Sequence, residues 1–390
     1  MSLWVWILLA LAAIALGGWL FRYAGQRITA NRPYFRDMPY GVAFGYVFAG
    51  AAVLGGIWLY FQDGAVFFRW AVHGLLGFAA AAWVFRTLGR TVGTDRTRKF
   101  FRSMPLTASF GLLIILIYAV LAIFAPLIAP YGQEEVFQQV NALPGGDPAA
   151  GGNPDHLLGT DQIGRDLLSR LIYGAQNTVG IAFATTCLAF FLGGSFGFLA
   201  ATLGGWLDQV LSRTVDVLMA IPSLIFALLL MTIASAWAGT QSWQLTFYMI
   251  VIIAVIDSTR VFRLSRAVGA NIVVMDYIEA AKLRGEGLRY LIFREILPNA
   301  YAPLLAEFGL RFCFVFLTIA SLSFLGVGIQ PPLADWGTMV RDLAQFINFA
   351  AFSPLAAALP LMAAGAIALL TVAVNFVVDW MLQKSSGLKE

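Results

Sequence analysis

The sequence predicts an all-α integral membrane protein of nine spans, and three observations predict it. Hydrophobic residues fill 60% of the 390 positions and charged residues only 12%, against roughly 45–50% and 25% in soluble domains. The mean hydropathy is +0.79. Apolar runs close to the ~20 residues that a helix needs to cross ~30 Å of hydrocarbon recur along the chain, separated by charged or Gly/Pro-rich breaks.

The first run, Leu3–Phe21, has no basic residue ahead of it and no convincing small-residue cleavage site before Arg22. It reads as a retained span rather than a signal peptide. With Gly41–Phe61 and Val66–Phe85 it forms an extension over residues 1–105. Leu106–Ile128, Thr178–Leu203, Val215–Ala238, Trp243–Val261, Ala302–Leu325 and Leu355–Trp380 form a six-span core over residues 106–383, followed by a tail, 384–390. Trp4, Trp19, Trp58, Trp70, Trp243 and Trp380 fall at span ends, where an aromatic belt places them.

The formal charge of +4 gains meaning once it is sorted by span. Twenty of the 25 basic residues lie on one side: four between Arg22 and Arg36, six between Arg86 and Arg102, Arg213, seven between Arg260 and Arg294, Lys384 and Lys389. Arg69, Arg165, Arg170 and Arg341 lie on the other, and Arg311 lies within a span. Basic residues mark the cytoplasmic side, so the N-terminus is predicted outside and the C-terminus in the cytoplasm. The scarce charge sets topology and gives no sign of a nucleic-acid partner.

Between Ala129 and Asn177 runs a polar segment too long for a simple turn. A second external stretch, 326–353, contains Pro331-Pro332 and Asp335-Trp336-Gly337. In the first, Gly159-Thr160-Asp161 and Gly164-Arg165-Asp166 precede a span. Asp161 is placed to cap a short helix Ile163–Tyr173 while the glycines make turns. The alternative is that Arg165 and Asp166 are surface charges at an external mouth.

The cytoplasmic break 260–298 has helical pattern where most membrane loops have none. Asp276-Tyr277-Ile278-Glu279 fits a capping box, Ala280-Ala281-Lys282-Leu283-Arg284 continues the helix, and Gly285 ends it. Leu288–Leu297 reads as a second amphipathic helix, ended by Pro298-Asn299. Ala280 and Ala281 are small enough to admit another backbone or side chain. A helix pair that only anchors two spans to headgroups is the plainer possibility.

Ionisable groups within spans are costly and mark functional candidates. Glu307 and Arg311, spaced i,i+4, can pair on one helix face, either lining a pathway or locking helix packing. Asp216 precedes Ile221-Pro222-Ser223, where Pro222 should bend the helix. Asp257 and Asp379 are expected to snorkel or cap, and Arg69 with His73 to anchor at the interface. Asn375 is a further polar candidate. Gly41/Gly45 and Gly193/Gly197 match G-x-x-x-G. Cys187 and Cys313 read as small apolar residues, and two Cys with two His in no ligand spacing show no metal or redox site.

Glu279-Ala280-Ala281, Gly285 and Ile296-Leu297-Pro298-Asn299 together resemble the EAA loop of ABC importer permeases. The narrower likeness is to the second, C-type permease of the dipeptide, oligopeptide and nickel group. Leu158-Gly159-Thr160-Asp161-Gln162-Ile163-Gly164-Arg165-Asp166-Leu167-Leu168-Ser169-Arg170 with Gly174, Ser321–Gly328 with Pro331-Pro332 and Trp336-Gly337, and Asn375-Phe376 with Asp379 resemble further motifs of that group, in order, over about Leu106–Gln383. Glu295 and Ile319 depart from it, standing where members often carry His and an acidic residue; the three leading spans lie outside it.

The resemblance implies a non-enzymatic subunit of a bacterial cytoplasmic-membrane importer, probed at three places. Glu279, Ala280, Ala281, Gly285, Leu297, Pro298 and Asn299 would couple to ATPases. Gly159, Thr160, Asp161, Gly164, Arg165 and Asp166 would meet a substrate-binding protein. Asp216, Glu307, Arg311 and Asn375 would be pathway candidates. The implied partners are a second homologous permease, two cytoplasmic ATPases, an external binding protein and lipid. The chain has no G-x-x-x-x-G-K-[ST] loop, so ATP and Mg are expected on the partner ATPases, with no cofactor or metal in this chain. Short peptides are the expected substrate and nickel or another small solute the rival. An ion-coupled secondary transporter would need clear repeats and broken midplane helices, and a membrane enzyme would need a reactive cluster.

Overall fold

In the computed structural model the described residues are 3–28, 32–62, 66–238, 242–349 and 354–385. Lys389 with the tail beyond Ser385, residues 350–353, and the side chains of Trp4 and Arg32 lie outside them. Among the described residues the named elements are helices, with largely irregular backbone over 129–166, and the chain forms two compact units, Met1–Leu75 and Leu76–Glu390.

In the first unit, α1 (Leu3–Ile28) packs on α3 (Tyr40–Tyr60), with the short α2 (Arg32–Asp37) between them. Arg22 Nε and Gln26 Nε2 both donate to the Phe35 carbonyl, at 3.1 and 3.3 Å, which fastens α2 to the end of α1. α4 (Val66–Thr91) begins in this unit, where the Tyr60 hydroxyl lies 2.9 Å from His73 Nε2.

The second unit contains α5 (Asp95–Ser103), α6 (Leu106–Ile128), α7 (Leu167–Gly174), α8 (Gly180–Leu203), α9 (Gly205–Ala220), α10 (Ser223–Trp237), α11 (Ser242–Val273) and α12 (Asp276–Leu283). It continues with α13 (Leu288–Tyr290), α14 (Leu297–Phe324), α15 (Trp336–Leu343) and α16 (Pro354–Ser385). Among the described residues seven helices are long and apolar enough to cross a bilayer, or eight if the bent pair α9–α10 is one span. The expected span Leu3–Phe21 falls in α1, where the side chains of residues 3–14 lie outside the described residues.

Three expected element limits change for identifiable reasons. The span Val215–Ala238 is broken: α9 and α10 meet at 91°. Pro222 disfavours helix for the residue before it, and Ile221 is extended at φ −88°, ψ 130°. The expected end of the seventh span at Val261 is passed, since α11 runs on to Val273. Its continuation beyond Val261 stays packed on α8, with Val261, Phe262 and Ser265 buried. Close approach is possible because Gly193 abuts the Ser258 carbonyl and Gly197 has room for no Cβ, which would lie 2.7 Å from the Phe262 oxygen. At Gly41 and Gly45, the other G-x-x-x-G, a Cβ would meet nothing within 4 Å.

Pro298-Asn299 does not end a helix either. α13 passes through a π-turn, Leu291–Ile296, directly into α14, giving one 37-residue element, Leu288–Phe324. A proline inside a helix has no N–H and crowds the carbonyl one turn back, and the wider π-turn accommodates both. Asn299 Nδ2 donates to the Glu295 carbonyl at 2.6 Å.

The main core lies among α6, α8, α10, α11, α14, α15 and α16, with Phe316, Ile114, Met231, Met249 and Trp336 almost fully buried.

Candidate functional site

The coupling segment is two-faced. The N-cap of α12 is Met275, whose side chain makes no cap hydrogen bond, so the expected capping box is not formed. Asp276 occupies the first helical position instead, and both it and Glu279 sit in the first turn, where carboxylates complement the helix dipole. Gly285 ends the helix as expected, at φ +82°. Its N–H donates to the Lys282 carbonyl at 3.0 Å and that of Glu286 to the Ala281 carbonyl at 3.2 Å, the paired bonds of a Schellman motif.

One face of α12 is fastened inward. Ile278 and Ala281 are fully buried in a cluster with Phe198, Ile272, Leu291, Ile296 and Ala300, so the segment is held by α8, α11, the π-turn and α14. Ala281, expected to admit a partner, therefore closes against its own chain. The opposite face is bare: Glu279, Ala280 and Gly285 are exposed, with Leu283 at 83% and Val274 at 80%. Leu297, Pro298 and Asn299 lie on the exposed side of the following helix.

α9 braces the same end of the molecule. Arg266 Nη2 donates to Asp208 Oδ2 at 2.6 Å, and Arg263 Nη2 lies 3.6 Å from Asp216 Oδ1. Asp216 thus ties α9 to α11 and is half-exposed; Arg263 and Arg266, expected in a loop, ride on α11.

The segment 129–177 forms a hub of buried charge. Asp161 Oδ1 accepts from the N–H groups of Ile163 and Arg165 at 3.0 and 2.9 Å, and its Oδ2 takes Arg165 Nε at 2.7 Å. It closes a tight turn and caps no helix. The cap is Asp166: α7 begins at Leu167, and Asp166 Oδ2 accepts from the Ser169 N–H and hydroxyl, each at 2.7 Å. Its other oxygen lies 3.0 Å from His156 Nδ1. Thr160 bridges Gln139 and Ala142, while Gly159 and Gly164 take positive φ at the turns. Asp166 is 2% exposed and the Arg165 side chain 12%, so neither is the free surface charge that the mouth reading requires.

The stretch after α14 docks on this hub. Gln133 Oε1 accepts from the Ala334 N–H and from Asn177 Nδ2, both at 3.0 Å, and Trp336 Nε1 donates to the Leu171 carbonyl at 2.9 Å. Asp335 caps α15 through Gly337 and Thr338. Burial pushes its carboxyl above the ordinary value, opposed by hydrogen bonds from Thr338 and Gly337. His156, Gln133, Asn177 and Asp335 were not among the expected site residues. Only Asp335 had a local signal, an Asp immediately ahead of a short amphipathic helix.

Within the spans, Glu307 and Arg311 pair as their spacing predicts, and Asp257, expected only to cap or snorkel, is buried beside them. The Arg311 guanidinium also lies 4.6 Å from the Phe314 ring centre. Asn375 is half-buried on α16 and is not brought to this cluster by any described contact. Among the described residues no group of three or more His, Cys, Asp or Glu is placed to hold a metal ion.

Residues 193–386 match the family of binding-protein-dependent transport system inner membrane components, and residues 95–144 match the N-terminal transmembrane domain of oligopeptide transport permease C. The dipeptide transport system permease protein DppC of Haemophilus influenzae is 37% identical over 245 residues, 62% of this chain and 79% of that protein. The chain belongs to this permease family. It is an ABC importer permease of the C type, a non-catalytic membrane component. The glutathione transport system permease protein GsiD of Pectobacterium atrosepticum is 30% identical over 253 residues, 65% of this chain and 79% of that one. For the oligopeptide transport system permease protein OppC of Bacillus subtilis the identity is 32% over 242 residues, 62% and 74% of the two chains. The matched permease core spans α12, the π-turn and α14 in full.

Proposed function

We propose that this permease forms half of the pathway of an ATP-driven importer of di- or oligopeptides, and that α12 carries ATPase closure into its spans. The observation that supports this is the two-faced helix: Ile278 and Ala281 fix it to the transmembrane helices while Glu279, Ala280 and Leu283 stand free. A lever must be rigid toward the load and exposed toward the motor, and the Schellman turn at Gly285 fixes its angle. The other half is a second homologous permease. Two cytoplasmic ATPases hold ATP and Mg, and an external binding protein delivers the peptide. The names of the relatives support the peptide assignment.

In this reading the membrane is the bacterial cytoplasmic membrane, crossed nine times, with the N-terminus outside and α12 in the cytoplasm. The charge sorting supports that orientation. Glu279 pairs with a basic ATPase side chain. Opening to alternate sides follows association and separation of the ATPases.

The test is Glu279→Gln in the complex purified with its cognate subunits. Peptide uptake and ligand-stimulated ATP hydrolysis are expected to fall together. Unchanged values for both would remove the salt-bridge role.

A further inference from the structure

We propose that a basic pocket at one end of the Leu76–Glu390 unit binds the phosphate of an anionic phospholipid headgroup. The pocket, about 540 Å³, is lined by Arg86, Arg102, Ser103, Trp380, Gln383 and Lys384, with Met104 and Pro105 completing it. It carries three cationic side chains and no carboxylate.

Its depth follows from the helices that frame it. Three candidate spans, Phe68–Thr91, Leu106–Ile128 and Ala356–Lys384, begin or end within a few residues of its lining. The pocket therefore lies where hydrocarbon gives way to headgroups. Trp and Lys at such a level are interfacial residues, with apolar bodies inward and polar tips in the headgroup layer.

The walls are built. α5 doubles back on the end of α4: Phe101 meets Phe85 edge-on at 5.2 Å, and Arg90 Nε donates to the Phe101 carbonyl at 3.4 Å. On the other side Phe100 meets Trp380 edge-on at 5.1 Å, Trp380 Nε1 donates to the Ser103 carbonyl at 3.2 Å, and Lys384 Nζ lies 5.2 Å from the Trp380 ring centre. These contacts hold the α5–α6 corner to α16 and gather like charges that would otherwise separate.

One observation points to an outside acceptor. Arg86 Nε is buried and has no hydrogen-bond partner among the described residues, whereas buried N–H groups in folded proteins are almost always satisfied. Phosphate offers several acceptors to a guanidinium fork. Basic pockets between spans are the places where anionic headgroups settle. Trp380 and Met104 give the apolar floor that a glycerol backbone needs and that a free phosphate does not.

The test uses the full chain in its complex, in neutral detergent, with phosphatidylglycerol or phosphatidylcholine of the same acyl chains. Bound lipid is read by native mass spectrometry and stability by Tm. Phosphatidylglycerol is expected to be retained and to raise Tm, and phosphatidylcholine to do neither. Arg86→Gln/Arg102→Gln/Lys384→Gln should weaken retention, roughly fivefold per charge removed. Arg96→Gln/Lys99→Gln/Arg213→Gln removes as much charge from exposed positions outside the pocket and should leave retention intact. Lys384→Arg, which keeps the charge, should also bind. Equal retention of both lipids, equal loss in both triple variants, or displacement of phosphatidylglycerol by inorganic phosphate would overturn the assignment.

Discussion

Arg311 Nε lies 2.7 Å from Glu307 Oε1 across one turn of α14, and Asp257 Oδ1 approaches the same guanidinium from α11 at 3.7 Å. Two carboxylates thus share one cation where α11 and α14 pack. Removing the cation leaves Asp257 buried and Glu307 part-buried, both without this partner, a loss approaching the roughly 3–5 kcal/mol seen for a broken buried pair. Arg311→Met should therefore lower the Tm of the complex more than Glu307→Gln does. Neutralising all three with Asp257→Asn added should recover much of that loss. Equal Tm values for the single variants would show that the cluster does not lock these helices.

The left-handed backbone at Gly285 is a conformational demand without a packing demand, because a Cβ there meets nothing within 4 Å. Gly285→Ala should cost about 1 kcal/mol from its φ alone, and Gly285→Asn less. Both variants are expected to assemble. Ligand-stimulated ATP hydrolysis should fall further in the alanine variant, since its turn no longer fixes the angle of α12.

At the hub of segment 129–177, Asp166→Ala removes the cap of α7, worth ~0.5–2 kcal/mol, and strips the His156 ring nitrogen of its carboxylate partner. Limited proteolysis between residues 129 and 166 should become faster. The exchange Asp161→Arg/Arg165→Asp is expected to fail as a rescue, because Asp161 also accepts two backbone N–H groups that an arginine cannot satisfy. If the exchanged pair restored proteolytic resistance, the turn would depend on charge alone.

The two G-x-x-x-G pairs should behave oppositely. Gly197→Leu forces a side chain into the α8–α11 contact and should abolish assembly, read by co-purification of the subunits. Gly41→Leu meets open space and should be silent within its own unit.

The spans were legible because each is a long apolar run, and the ends that moved did so where an amphipathic continuation follows. α11 passes Val261 because Arg263 and Arg266 find carboxylates on α9, partners that no local pattern announces. Pro298 reads as a stop in sequence, and only the π-turn ahead of it makes it tolerable. The i,i+4 pair Glu307–Arg311 was visible in its spacing, whereas Asp257 joins it from a distant stretch of chain. Likewise Arg165 and Asp166 look like surface charge until Asp161, Ser169 and His156 are brought around them. The exposed face of α12 was readable at Glu279 and Gly285 but not at Ala281, whose burial depends on Phe198 and Ile296.

The central claim is that the bare face of α12 engages the ATPase. Leu283, at 83% exposed, is the most direct reporter. Leu283→Cys in the assembled complex, with single cysteines along the facing groove of the ATPase, should cross-link to that subunit in high yield, with a yield that changes on ATP binding. Absence of any cross-link to the ATPase, in a complex that assembles and transports, would contradict the account.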